Sequence, residues 1–182
     1  MAILYSFLFI VILVGALGIF YVYQYNKLQQ SKTKIDHAEC LIDEALRNRY
    51  DILVSADKLI KSELGNDKTY FKGLDKVKNE NISNFDLDRK LTEYISLLEQ
   101  IKLDYPDLAT NKGFKEVLSE NKKASEKLQA AKSYYNKYTS ELNDLVRTFP
   151  SNIVARLHAI TIKPFFDWKN MEDEIVDDFK LW

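Results

Sequence analysis

The chain has 182 residues, room for one folded domain and an anchor. Its 26 Lys+Arg balance 27 Asp+Glu to a formal net charge of −1. That balance excludes nucleic acid as the main ligand, because phosphate binding needs a basic excess to drive counterion release. Five Gly and three Pro are few helix breakers, and the single Cys40 excludes a disulfide within the chain, so nothing requires an oxidising compartment.

From Ala2 to Tyr23 the sequence is uncharged and almost wholly apolar. A helix over this stretch is about 33 Å long, enough for a hydrocarbon core of about 30 Å. Tyr21, Tyr23 and Tyr25 then stand at its far boundary, where amphipathic rings are favoured. A cleaved signal peptide would want a basic start and a shorter apolar core, and this segment has neither. The first basic residues, Lys27, Lys32 and Lys34, all follow it. The positive-inside rule therefore places residues 24 onward in the cytoplasm and the N-terminus outside, a single-pass arrangement in the cell membrane. Gly15 and Gly18 are three apart rather than four, so the close-packing dimer spacing is missing and the span reads as a lipid-facing anchor.

Without a proline before Pro106, the helix leaving the membrane can run unbroken to Leu64. Leu28, Ile35, Ala38, Ile42, Ala45, Ile52, Ala56 and Leu59 form one stripe, which Leu46, Leu53 and Ile60 widen. Gly65-Asn66-Asp67 is a stop signal. A shorter helix is predicted from Thr69 to about Asn79, with Phe71, Leu74 and Val77 apolar. After a loop, the next runs from a cap near Asp86 to Tyr105 and carries Leu87, Leu91, Tyr94, Leu98, Ile101 and Tyr105. Pro106 ends it. The last long helix, about Asn111 to Phe149, places Phe114, Val117, Asn121, Ala124, Leu128, Ala131, Tyr135, Tyr138, Leu142, Leu145 and Phe149 in strict three-four alternation. A period of about 3.5 residues sustained over five heptads predicts a narrow seam and a left-handed supercoil. Phe149-Pro150 stops it, and Ser151 is placed to cap a short helix through about Ile160.

Such helices must bury their stripes on one another, and short connections favour antiparallel neighbours. The predicted fold class is all-α: an N-terminal transmembrane helix continuing into an antiparallel, left-handed-twisted bundle of about four helices. Residues 1–23 make the anchor, 24–160 the bundle and 161–182 an aromatic and acidic C-terminal segment.

Several short motifs carry a resemblance. Tyr25-Asn26-x-Leu28 follows the membrane segment, then Ile35-Asp36-His37-Ala38, Ile42, Leu46 and Arg47-Asn48-Arg49-Tyr50-Asp51. Tyr105-Pro106-Asp107-Leu108 with Asn111 and Phe114 spells a YPxLxxNxxF turn, and Tyr135-Asn136, Asn143 and Phe149-Pro150-Ser151-Asn152 close the pattern. Each motif alone is weak, but four in order at these spacings resemble the LemA family over most of the chain after residue 24. The resemblance implies single-span proteins with a short external N-terminus, a cytoplasmic helical bundle and no established general activity. Two departures stand out: Ile52-Leu53-Val54-Ser55 replaces a proline-containing run, and Lys132 stands where the family tends to have Arg.

Arg49 falls on the seam of the first helix, where an unpaired cation would cost several kcal/mol, so it must reach a carboxylate, carbonyl or tyrosine. A structural ion pair that fixes register is the favoured reading over an anion site between helices. Asn121, the one amide in the last helix's seam, reads likewise as register-setting. His37, Cys40 and Glu44 are one turn apart, but no CxxC, HxxxH or second Cys completes a metal site. His158 has no adjacent nucleophile pattern, and Gly-rich phosphate loops are missing. No catalytic, cofactor or metal residue is therefore assigned. In the C-terminal segment, Phe165, Phe166 and Trp168 beside Pro164 are expected to be exposed, and Phe179 and Trp182 lie on an acidic amphipathic stretch. Docking a partner and closing the bundle are the two readings of these five aromatics. The expected partners are the membrane, crossed once, and a protein, a second copy of the chain included; no nucleic acid is expected. The functional expectation is a non-enzymatic scaffold or adaptor at the cytoplasmic membrane face. Its alternative is a ligand-binding protein or enzyme with a polar inter-helix site around Arg49.

Overall fold

The computed structural model describes residues 2–65, 70–77 and 82–166. Among them no strand occurs and 87% are helical, so the all-α class holds. The elements are α1 (Ala2–Leu64), α2 (Leu74–Val77), α3 (Asn84–Asp104), α4 (Pro106–Thr110), α5 (Lys112–Arg147) and α6 (Ser151–Leu157). They form two compact units, residues 38–133 and residues 1–37 with 134–182, and α1 and α5 each contribute a segment to both.

α1 runs 63 residues without a break, because nothing in it interrupts the backbone ladder. It stops at Gly65, whose φ of +95° suits a residue without Cβ and whose N–H bonds back to the Lys61 carbonyl. Every predicted stripe residue of α1 is buried except Leu59, which is half-buried; Ser31 and Arg49 fill the two gaps in the stripe.

Within the 38–133 unit, α1 and α5 run antiparallel: Asn111 reaches Glu63 at one end, and Arg49 and Lys132 share Asp88 further along. α3 runs in the direction of α1, from Asp88 beside Arg49 to Tyr105, whose hydroxyl accepts from Tyr70. α2 lies on the returning connection. The YPxLxxNxxF run has a local explanation. Pro106 opens α4, where its missing N–H costs nothing. Leu108 is buried, and Asn111 Oδ1 caps α5 by accepting from the Gly113 and Phe114 amides at 2.8 and 3.3 Å. Phe114 then enters the core fully buried.

Several boundaries differ from expectation. The helix predicted from Thr69 begins only at Leu74, because Gly73 adopts φ +89° and turns the chain; Phe71 is buried ahead of it. α3 is capped by Ser83, whose Oγ accepts from the Asp86 amide, and starts at Asn84. α5 ends at Arg147, since the residue before a proline is disfavoured in helical conformation, and Phe149 leaves the seam for solvent. Thr139, fully buried, takes the place expected of Tyr138, which is half-buried. Ser151 lies inside α6 and donates to the Thr148 carbonyl instead of capping.

Candidate functional site

Two polar constellations stand out, one in each unit. In the 38–133 unit a single carboxylate ties three helices together. Asp88 Oδ1 accepts from Arg49 Nη1 and Oδ2 from Lys132 Nζ, each at 2.6 Å. The residues come from α3, α1 and α5 and are 7%, 7% and 9% exposed. Burial lowers the Arg49 pKa, while the charge and hydrogen bond of Asp88 pull it the other way. Charges this enclosed persist only when paired. Arg49 thus finds the carboxylate its seam position demanded, although its Nε stays buried and unbonded. Asp88 was missed because the heptad reading of α3 put Leu87 on the seam. Counting back three from buried Leu91, rather than four, would have found it, and Leu87 is only half-buried.

In the other unit, the chain after α6 lies extended along α5 and is gripped by two amides. Asn143 Oδ1 accepts from the Lys163 N–H and its Nδ2 donates to the Lys163 carbonyl, both at 2.8 Å. Asn136 does the same for Phe166, at 2.7 and 3.1 Å. Tyr135 Oη donates to the Pro164 carbonyl between them at 3.2 Å. The spacing is a metric match: one heptad of helix advances about 10.5 Å, and three residues of extended chain about 10 Å. This gives the Tyr135-Asn136 and Asn143 motif a physical purpose that pattern alone did not disclose. The expected exposure of Phe166 is corrected: it is 8% exposed and meets Tyr135 edge to face, because the Asn136 clamp draws its backbone onto the helix. Phe165 is half-buried. Trp168, Phe179 and Trp182 lie outside the described residues.

A cleft of about 530 Å³ lies between α1, α2 and the start of α3, with Asp43, Arg47, Tyr50, Asp51 and Asn84 as its polar lining. Burial, then the charges of Asp75 and Asp51, raise the Tyr50 pKa. Arg47 is engaged by Asp43 at 2.9 Å. Arg49 and Asp88 do not line this cleft. Among the described residues no group of three or more His, Cys, Asp or Glu side chains is arranged to hold a metal. His37 sets its ring edge-on to Tyr134, with centroids 6.3 Å apart. Asn121 is buried in the α5 seam as placed, with Oδ1 unbonded. Asn121→Leu removes that orphan and is expected to raise stability by about 1–3 kcal/mol, read as a higher melting temperature; a lower one would contradict the assignment.

The model of the LemA family matches residues 38–178. A curated relative, Protein LemA of Metamycoplasma hominis, is 26% identical over 191 aligned positions, covering 97% of this chain and 85% of that protein. No solved structure matches.

Proposed function

Since the chain belongs to the LemA family, we propose that it is a membrane-anchored, non-enzymatic scaffold whose helical units stand in the cytoplasm and offer their faces to a protein partner. One observation carries this reading. The apolar run of α1 has no buried side chain among its described residues, yet it belongs to the same unbroken helix as the buried stripe from Leu28 onward. A core helix would be covered. Exposed apolar surface of this extent needs a bilayer. A removable signal would want a basic start and a shorter apolar core than this run has. The charged seam supports a structural rather than chemical role, because Arg49 and Lys132 both pair with Asp88.

The native single cysteine makes the anchor testable, for Cys40 is exposed. Alkaline carbonate is expected to leave the protein in the membrane pellet. In intact cells Cys40 is expected to resist a membrane-impermeant maleimide and to react once the membrane is opened. Labelling of intact cells would reverse the orientation, and release by carbonate would remove the anchor. The scaffold reading meets its test in the combined variant Arg49→Met, Asp88→Leu and Lys132→Met. Replacing a buried charge cluster by packed apolar residues is commonly neutral or stabilising, by about 1–4 kcal/mol. The variant is expected to stay folded and to keep the same cross-linked neighbours in membranes. A folded variant that loses them would place a ligand or partner site at these three residues.

A further inference from the structure

α6 presents two unlike faces. Ser151, Val154 and Ala155 are buried, whereas Ile153 and Leu157 are 52% and 70% exposed, and Phe149, four residues before Ile153, is 78% exposed. Ile153 and Leu157, four apart on α6, share one apolar face, and Phe149 is exposed in the turn that leads into it. α6 contains no acidic residue, and Arg156 is exposed on it.

The place of this stripe is fixed by contacts within the same unit. His158, directly after α6, has its Nε2 2.6 Å from the Tyr21 hydroxyl and its ring 4.5 Å from that of Tyr25. Those tyrosines stand where the apolar run of α1 ends. The pairing of α5 with α1 gives the same level independently. Lys34 lies over the Tyr138 ring at 4.5 Å and His37 beside Tyr134. Continued along the two antiparallel helices, that register brings Arg147 level with Gln24 and Tyr25. Arg147 and Lys27 are both exposed there. A bilayer that takes up residues 3–23 therefore has its surface at the height of α6.

We infer that α6 is an interfacial membrane helix: Phe149, Ile153 and Leu157 enter the headgroup–acyl boundary of the bilayer crossed by α1, with Arg156 among the headgroups. The inference rests on the anchor reading above. Continuity with the span supplies the occupant, and the absence of acidic residues from α6 suits a lipid surface that is often anionic. Within the described residues the side chains of Phe149, Ile153 and Leu157 stay more than half exposed.

The test uses the full chain with Cys40→Ser and one new cysteine carrying an environment-sensitive fluorophore, reconstituted in phosphatidylcholine–phosphatidylglycerol vesicles. Labels at Ile153→Cys and Leu157→Cys are compared with one at Ser140→Cys, an exposed α5 position away from the α6 stripe. The expected result is a blue shift at 153 and 157, with several-fold stronger quenching by bromines on the acyl chains than at 140. Flotation of the protein with the vesicles is scored separately. Flotation with a water-like, unquenched label at 153 and 157 overturns the inference and leaves the anchor standing. A blue shift that follows protein density, without acyl-chain quenching, shows a second copy on the stripe and also overturns it. Failure to float overturns both the anchor and the inference.

Discussion

Asp88→Ala is expected to destabilise the protein by about 3–5 kcal/mol, the range for removing one partner of a buried ion pair. The loss exceeds that of an ordinary surface pair, which contributes about 0–1 kcal/mol. The substitution leaves the two enclosed cations Arg49 and Lys132 without the carboxylate they share, and both bonds to it are 2.6 Å long. Because the residues come from α1, α3 and α5, the effect should spread through the whole 38–133 unit rather than loosen one helix end. Thermal unfolding in detergent, followed by circular dichroism, reads it as a fall of roughly 10 °C. Asp88→Asn keeps the shape but not the charge and should fall almost as far. A loss under about 1 kcal/mol for either variant would mean that the pair is solvated and that the three-helix tie is not a structural anchor.

Asn136→Ala combined with Asn143→Ala is expected to free the extended chain from α5. Four hydrogen bonds to the backbone of Lys163 and Phe166 disappear together. At about 1–3 kcal/mol for each amide, local opening becomes easier by roughly 2–6 kcal/mol. Chymotrypsin at Phe165 and Phe166 reports this directly, since cleavage of an opened segment follows its population. The double variant should be cut at these sites roughly thirtyfold faster or more. Single variants should fall between, and an unchanged rate would show that Tyr135 and the Phe166 ring hold the segment alone. The helical signal of α1 and α5 should change little, which separates release of the segment from unfolding.

The parts of the fold set by periodicity were the legible ones. The α1 stripe, the α5 seam and the stop at Gly65 all follow from spacing and backbone stereochemistry, which act locally. The parts set by pairing were not. Arg49 announced that a partner existed, but only the packing of three helices could name Asp88. Asn136 and Asn143 were visible as a motif, yet their ligands are main-chain atoms twenty to thirty residues away, and a main chain has no lettering to read. Phe149 shows the opposite failure. Its apolar character and heptad position both argued for burial, and Pro150 removed it from the helix that would have carried it inward. Ending the seam two residues early is what leaves an oily side chain exposed just ahead of α6.

Because both asparagines recognise only peptide groups, the strand they hold answers to a rule of position rather than of identity. Amide hydrogens are spent at Lys163 and Phe166, whereas Pro164 between them has none to give. Proline is thus admissible at 164, where it occurs, and forbidden at 163 and 166. Evolutionary drift along this strap should spare the buried ring at 166 and the two amides of the supporting helix, seven apart, and run more freely in the side chains between.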